Sequence, residues 1–187
     1  MAPPVAAIRT IVGRVTPAPE PTDSTTISWV DPSVALPRLA QLSGLDYLTA
    51  ILDGELPPPP ISQLMGFTAV SFALGEAVFE CSPTTAHFNP LGVVHGGLAC
   101  TLLDTVLGCA GHTTLPAGVG YTSVDLNVVY LRPIVPGNAP LRATGRVRKG
   151  GKRVIFAEGE LVGADDEVLA TGTSSLLVID RRDGSGD

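Results

Sequence analysis

Apolar positions follow different rhythms in different parts of the chain. Between residues 34 and 52, Val34, Leu36, Leu39, Leu42, Leu45, Leu48, Ile51 and Leu52 recur near helical spacing. One or two short amphipathic helices are predicted there, with Pro37 confined to a first turn and Gly44 dividing the segment. The proline run 57–60 predicts a stiff extended spacer that marks the start of the main domain. Beyond it, residues 66–73 and 76–82 read as a β-hairpin turning near Gly75. Residues 95–112 then read as a long helix, apolar on almost every side through Leu98, Leu102, Leu103, Val106 and Leu107, so something must surround it. The wrapping follows in sequence. Val124, Leu126, Val128 and Tyr130 alternate with more polar neighbours, and so do Leu141, Ala143 and Val147. A turn at Gly150 and Gly151 leads to a strand near 152–162, and one at Asp165 and Asp166 to a last strand near 167–179. Short connections favour antiparallel pairing. The expected fold is α+β: a curved antiparallel sheet around one central helix, with residues 1–60 as a proline-rich tail and helical extension and 61–187 as the main domain. The first 23 residues, with five prolines and little apolar periodicity, are expected to form a loose tail.

Composition narrows the function. With 187 residues, 44% hydrophobic and 16% charged, the chain can bury a core. A net charge of −6 argues against a surface shaped as a whole for nucleic acid or anionic membrane, so any anionic ligand needs a local basic patch. No signal-peptide pattern opens the chain, and the longest apolar run, Leu98 to Ala110, is too short to span a bilayer and contains Asp104. A cytoplasmic protein without membrane or nucleic-acid partners is expected. Cys81, Cys100 and Cys109 show no paired or metal-ligand spacing, so they read as reduced thiols and no metal site is expected.

The stretch His87 to Asp104, HFNPLGVVHGGLACTLLD, carries the chemistry. Gly96 and Gly97 at a helix start let a ligand approach N–H groups that lack intrahelical partners, where the helix dipole is positive. A thioester carbonyl placed there would be polarised, and a tetrahedral oxyanion stabilised. Asp104 is the one carboxylate of this helix and the candidate general base. Eight residues separate Gly96 from Asp104, about 12 Å along the axis at roughly 1.5 Å per residue. One water cannot touch both. If both serve one reaction, the carboxylate must come from a second, antiparallel copy, which requires a homodimer with two shared sites.

The spacing N-x5-H-G-G-x6-D, followed downstream by Ser123-Val-Asp-x-Asn127, resembles the phenylacetate-pathway (PaaI-like) acyl-CoA thioesterases of the hotdog fold, over residues 62–180. The resemblance implies that Asn89 positions the water or thioester, that Gly96 supplies the oxyanion N–H, that Asp104 activates water, and that Ser123, or its neighbour Thr122, assists Asp104. It implies an acyl-CoA substrate; the apolar Leu98, Leu103, Val124 and Leu126 could line a pocket for a hydrophobic acyl or aryl group, and core packing explains them equally well. No metal or redox cofactor is expected beyond the coenzyme A of the substrate, and the dimers are expected to pair into a dimer of dimers, whose arrangement the sequence leaves open.

Each residue also has a plainer reading. Asn89 could nucleate a turn before Pro90. His95 could exchange protons directly or only hold the glycine turn. Gly96 and Gly97 could serve tight packing, and Asp104 could be a buried structural carboxylate. A second signal is electrostatic: seven of the twelve Lys and Arg residues lie between Arg132 and Arg153, with no Asp or Glu among them. A basic hairpin beside the helix N-terminus would bind the phosphates of coenzyme A, with Arg148, Lys149, Lys152 and Arg153 as first candidates. A non-catalytic acyl-CoA sensor and a hotdog hydratase or dehydratase using His95 and Asp104 remain competing functions.

Overall fold

The computed structural model describes residues 20–180; the expected tail lies largely outside them. After two 3₁₀ turns at Pro32–Val34 and Leu36–Ala40 come the helices α1 (Gly44–Leu52) and α2 (Pro60–Met65). Ser43 caps α1, its Oγ accepting the Asp46 N–H at 3.1 Å, so the division expected near Gly44 is a true helix start. The spacer expectation fails at its last residue. Pro60 is the first residue of α2, where a missing N–H costs nothing.

The hairpin β1 (Phe67–Ala73) and β2 (Glu76–Cys81) turns at Gly75, whose φ of 79° suits glycine. The long helix α3 (Gly96–His112) follows, then β3 (Val119–Ser123), β4 (Asn127–Tyr130), β5 (Leu141–Lys149), β6 (Val154–Val162) and β7 (Val168–Asp180). All strand pairs are antiparallel, in the order β1-β2-β5-β6-β7-β3, with β4 continuing along β7 beyond β3. Extra residues in β1, β5 and β7 shift the register and bend the strands. The sheet curls around α3, whose Leu98, Leu102, Leu103, Val106 and Leu107 are at most 2% exposed. Gly145 of β5 faces the Val106 carbonyl so closely that a Cβ would collide with it. This is the expected hotdog architecture. No helix among the described residues is long and apolar enough to cross a membrane.

The expected strand 123–130 requires correction. The chain enters the sheet earlier, at Val119, and leaves it at residues 124–126, where Val124 is 65% exposed. Ser123 pairs with Leu176 and Asn127 with Thr173, so four steps on one side match three on the other: one extra residue is inserted. Asp125 holds this bulge, its Oδ1 accepting the Ser175 N–H at 2.9 Å and its carbonyl accepting the Ser174 hydroxyl at 2.7 Å. The insertion reverses the facing of alternate residues. Tyr121 and Ser123 before it, and Tyr130 after it, therefore all turn toward α3.

Candidate active site

The turn preceding α3 is built by its polar side chains. Asn89 Oδ1 accepts the Leu91 N–H at 2.9 Å and the Val93 N–H at 3.4 Å, which is the turn-forming reading of this residue. Its amide nitrogen has no partner among the described residues and remains a donor. His95 is the N-cap: its Nδ1 accepts the Gly97 N–H at 2.8 Å. The imidazole thus holds the glycine turn. The Gly96 N–H makes no hydrogen bond among the described residues, which leaves a donor at the positive end of a helix of 17 residues.

Two neighbours that pattern reading passed over complete this end. Tyr130 Oη donates to the Gly96 carbonyl at 2.9 Å, and Cys100 Sγ lies 2.9 Å from Tyr130 Oη. Bonded to the thiol and partly desolvated, the Tyr130 hydroxyl is pushed up to about 12. A Cβ on Gly96 would stand 2.9 Å from Tyr130 Oη, so a larger residue there would push the Tyr130 hydroxyl away. The available signal was an aromatic residue with a polar tip on the inward phase of an alternating strand.

Two turns along the helix, Asp104 Oδ1 accepts the Ser123 hydroxyl at 3.0 Å. Ser123, and not Thr122, reaches the carboxylate, because the facing set before the bulge turns residue 123 inward. Asp104 is solvent-exposed in the single chain. Beyond it, Tyr121 packs over Gly108, and its hydroxyl is held well above the usual range by burial and by the nearby Cys109 and Asp104. The Cys109 thiol is pushed up to about 12, chiefly by burial and further by the charge of Asp104, which makes it a poor nucleophile.

The basic hairpin β5–β6 is corrected in position and in pairing. Its tip borders a cavity of about 600 Å³ with Thr114, Leu115 and Pro116, just past the C-terminal end of α3, and Ile155 packs near Gly111. That end lies about 24 Å from Gly96 at roughly 1.5 Å per residue, so within one chain the hairpin is not beside the helix N-terminus. The linear run of cations also meets acids from other strands. Arg142 pairs with Glu80 at 2.7 Å, Arg146 with Glu76 at 2.8 Å and Arg148 with Glu158 at 3.1 Å. Lys149, Lys152 and Arg153 are exposed and have no ion pair among the described residues. The four proposed pocket residues do not converge either: Leu98 and Leu103 are sealed in the core, while Val124 and Leu126 are exposed at the bulge.

The model of the thioesterase superfamily matches residues 91–170, which span the glycine turn, α3 and the strands around it. The chain is 34% identical over 106 residues to human acyl-coenzyme A thioesterase 13, covering 56% of this chain and 74% of that protein. Among solved structures it resembles a phenylacetic acid degradation-related protein of Ralstonia eutropha, with a TM-score of 0.64 and 30% identity over 70% of this chain and 98% of the other. It also resembles the E. coli PaaI protein from the phenylacetic acid degradation operon, with a TM-score of 0.64 and 25% identity over 74% of this chain and 96% of the other. The chain therefore belongs to the thioesterase superfamily, as a thioester hydrolase with the hotdog fold of the PaaI-like type.

Proposed function

We propose that the protein hydrolyses acyl-CoA thioesters carrying a hydrophobic acyl group, at two sites shared across a homodimer. The observation that carries this reading is the placement of two half-sites on one helix: an unpaired Gly96 N–H at its start, and the Asp104–Ser123 pair two turns later. Neither half can complete the reaction alone across about 12 Å. A second copy of α3, lying antiparallel with the two-fold axis near residue 100, sets the Gly96 of one protomer opposite the Asp104 of the other.

In that site the Gly96 N–H and the Asn89 amide hold the thioester oxygen. Asp104 of the other protomer takes a proton from water as the water oxygen attacks the carbonyl carbon. The oxyanion collapses, the C–S bond breaks, and the departing thiolate takes up the proton, giving acid and free CoA. Ser123 fixes the carboxylate, and His95 keeps the glycine turn open. The same two-fold axis supports a role for the hairpin cations. It carries the partner's hairpin past the N-terminal end of this chain's α3, roughly 12 Å beyond Gly96, where the phosphates of an extended CoA would meet Lys149, Lys152 and Arg153, with Arg148 released from Glu158 or held in reserve. Apolar Phe156, Leu177 and Ile179 on the outer sheet face support further pairing of dimers. The division of the chain near residue 60 is retained in this reading, with the first helices docked on the catalytic domain.

The test is thiol release from a panel of acyl- and aryl-CoA esters by the native protein and by Asp104→Asn at matched dimer content. Release that collapses in the variant supports the reading. Binding without release by the native protein would assign a sensor instead.

A further inference from the structure

Ser123 and Tyr130 are an odd number of positions apart, so on an unbroken strand they would face opposite sides. The residue inserted at 124–126 removes that difference, and one strand then reaches both half-sites of α3. Ser123 bonds to Asp104 at 3.0 Å, and Tyr130 bonds to the Gly96 carbonyl at 2.9 Å. The first contact orients the proposed base. The second falls on the peptide that follows the proposed oxyanion donor.

That peptide, between Gly96 and Gly97, has no Cβ on either side, which makes it the freest to rotate in the turn. It is held at both ends: its N–H donates to His95 Nδ1 at 2.8 Å, and its carbonyl accepts the Tyr130 hydroxyl. A carbonyl has two lone pairs, so the phenol bonds there without displacing a helical N–H. On the other side, the His95 N–H is anchored on the His87 carbonyl at 2.8 Å. The Gly96 N–H therefore sits between two fixed peptides. The phenol is oriented in its turn. Its single proton is committed to Gly96, so in the contact of 2.9 Å between Cys100 Sγ and Tyr130 Oη the thiol is the donor. With its hydroxyl pushed up to about 12, Tyr130 stays protonated, and stays a donor, through neutral and mildly alkaline pH. A cavity of about 460 Å³ borders this turn, lined by His95, Gly96, Gly97, Tyr130 and Arg132.

We infer that Tyr130, oriented by Cys100, is a positioning residue that locks the Gly96–Gly97 peptide and so preorganises the Gly96 N–H for the thioester oxyanion. The inference rests on the hydrolysis proposed above. A preset donor counts most when charge develops on the oxygen, so losing its alignment lowers kcat and spares KM.

The experiment is hydrolysis of octanoyl- and benzoyl-CoA by the native protein, Tyr130→Phe, Cys100→Ala and Cys100→Ser at matched dimer content. Tyr130→Phe keeps the ring and should lower kcat on the order of tenfold, the upper end for one neutral hydrogen bond, with KM and the shape of the pH profile unchanged. Cys100→Ala should lower kcat by about threefold, and Cys100→Ser, which restores a donor to the phenol, should return it nearly to the native value. A vibrational readout follows the oxyanion donor itself. In an Asp104→Asn background, where bound ester persists, the thioester C=O stretch of benzoyl-CoA should lie below its value in solution, and adding Tyr130→Phe should reverse part of that shift. A native kcat in Tyr130→Phe, a loss confined to KM, or a C=O stretch that the second substitution leaves in place overturns the positioning role while hydrolysis stands. If Tyr130→Phe does not fold, the Cys100 pair decides, and equal kcat in its alanine and serine variants overturns the role. Absence of thiol release from every ester by the native protein removes the hydrolysis reading and this inference with it.

Discussion

One side of α3 carries Leu98, Leu102, Val106 and Leu107, each sealed against the sheet, while the other carries Gly97, Cys100, Thr101, Asp104 and Thr105, all at least partly open. The first side is decided by apolar area alone: it specifies where the helix lies and is indifferent to chemistry. The second side uses small or polar residues that contribute little to burial in one chain. In the proposed reading its groups act only when another surface supplies what each half-site lacks. Stability and reactivity are thus separated across the width of one helix.

That separation predicts opposite phenotypes for neighbouring residues. The largest effect expected is on the open side: Asp104→Asn should lower kcat by about a thousandfold, within the range for loss of a general base, and leave the melting temperature within a degree or two. Leu102→Ala, two positions away and fully buried, should do the reverse. It should cost about 2–5 kcal/mol of stability by cavity formation, read as a lower denaturant midpoint, while the folded fraction retains its kcat. Ser123→Ala removes a hydrogen bond to a carboxylate, and kcat/KM should fall by about tenfold with thermal stability retained.

The smallest effect belongs to the far end of the helix. His112, packed between Tyr47 and Tyr121, has its pKa lowered by burial from the ordinary 6.5. A histidine kept neutral when folded but protonated when unfolded costs stability below its unfolded value. Stability should therefore decline as the pH falls from 7.5 to 5.5, and His112→Gln should reduce that decline. An identical pH dependence in the two proteins would remove His112 as its source.

How much of this was legible in the sequence follows from which forces act locally. The 95–112 helix and the Gly75 hairpin were readable to within a residue or two, because capping, glycine turns and period are properties of adjacent residues. The bulge at 124–126 was not. It depends on Asp125 bonding to Ser174 and Ser175, some fifty positions away, and the apolar alternation runs through it undisturbed. The same holds for charge. The cation run looked unopposed along the chain, yet Glu76, Glu80 and Glu158 meet its arginines across strands. Of the site, Gly96, His95, Asp104 and Asn89 were legible because they sit in one continuous motif. Tyr130 escaped because its partner, the Gly96 carbonyl, is 34 residues distant, and its inward phase and polar tip alone do not name that partner.

The claim that the two half-sites work only in trans is tested most directly by mixing two inactive variants. Asp104→Asn spoils the base, and Asn89→Asp removes the amide donor while keeping the oxygen that holds the turn. Each homodimer should be nearly inert. A purified dimer containing one subunit of each, isolated by separate affinity tags, has one site with both native groups and one with neither. About half of the native thiol release should return. Mixed dimers no more active than either parent would place the Asn89 and Asp104 functions within one chain and contradict the shared site.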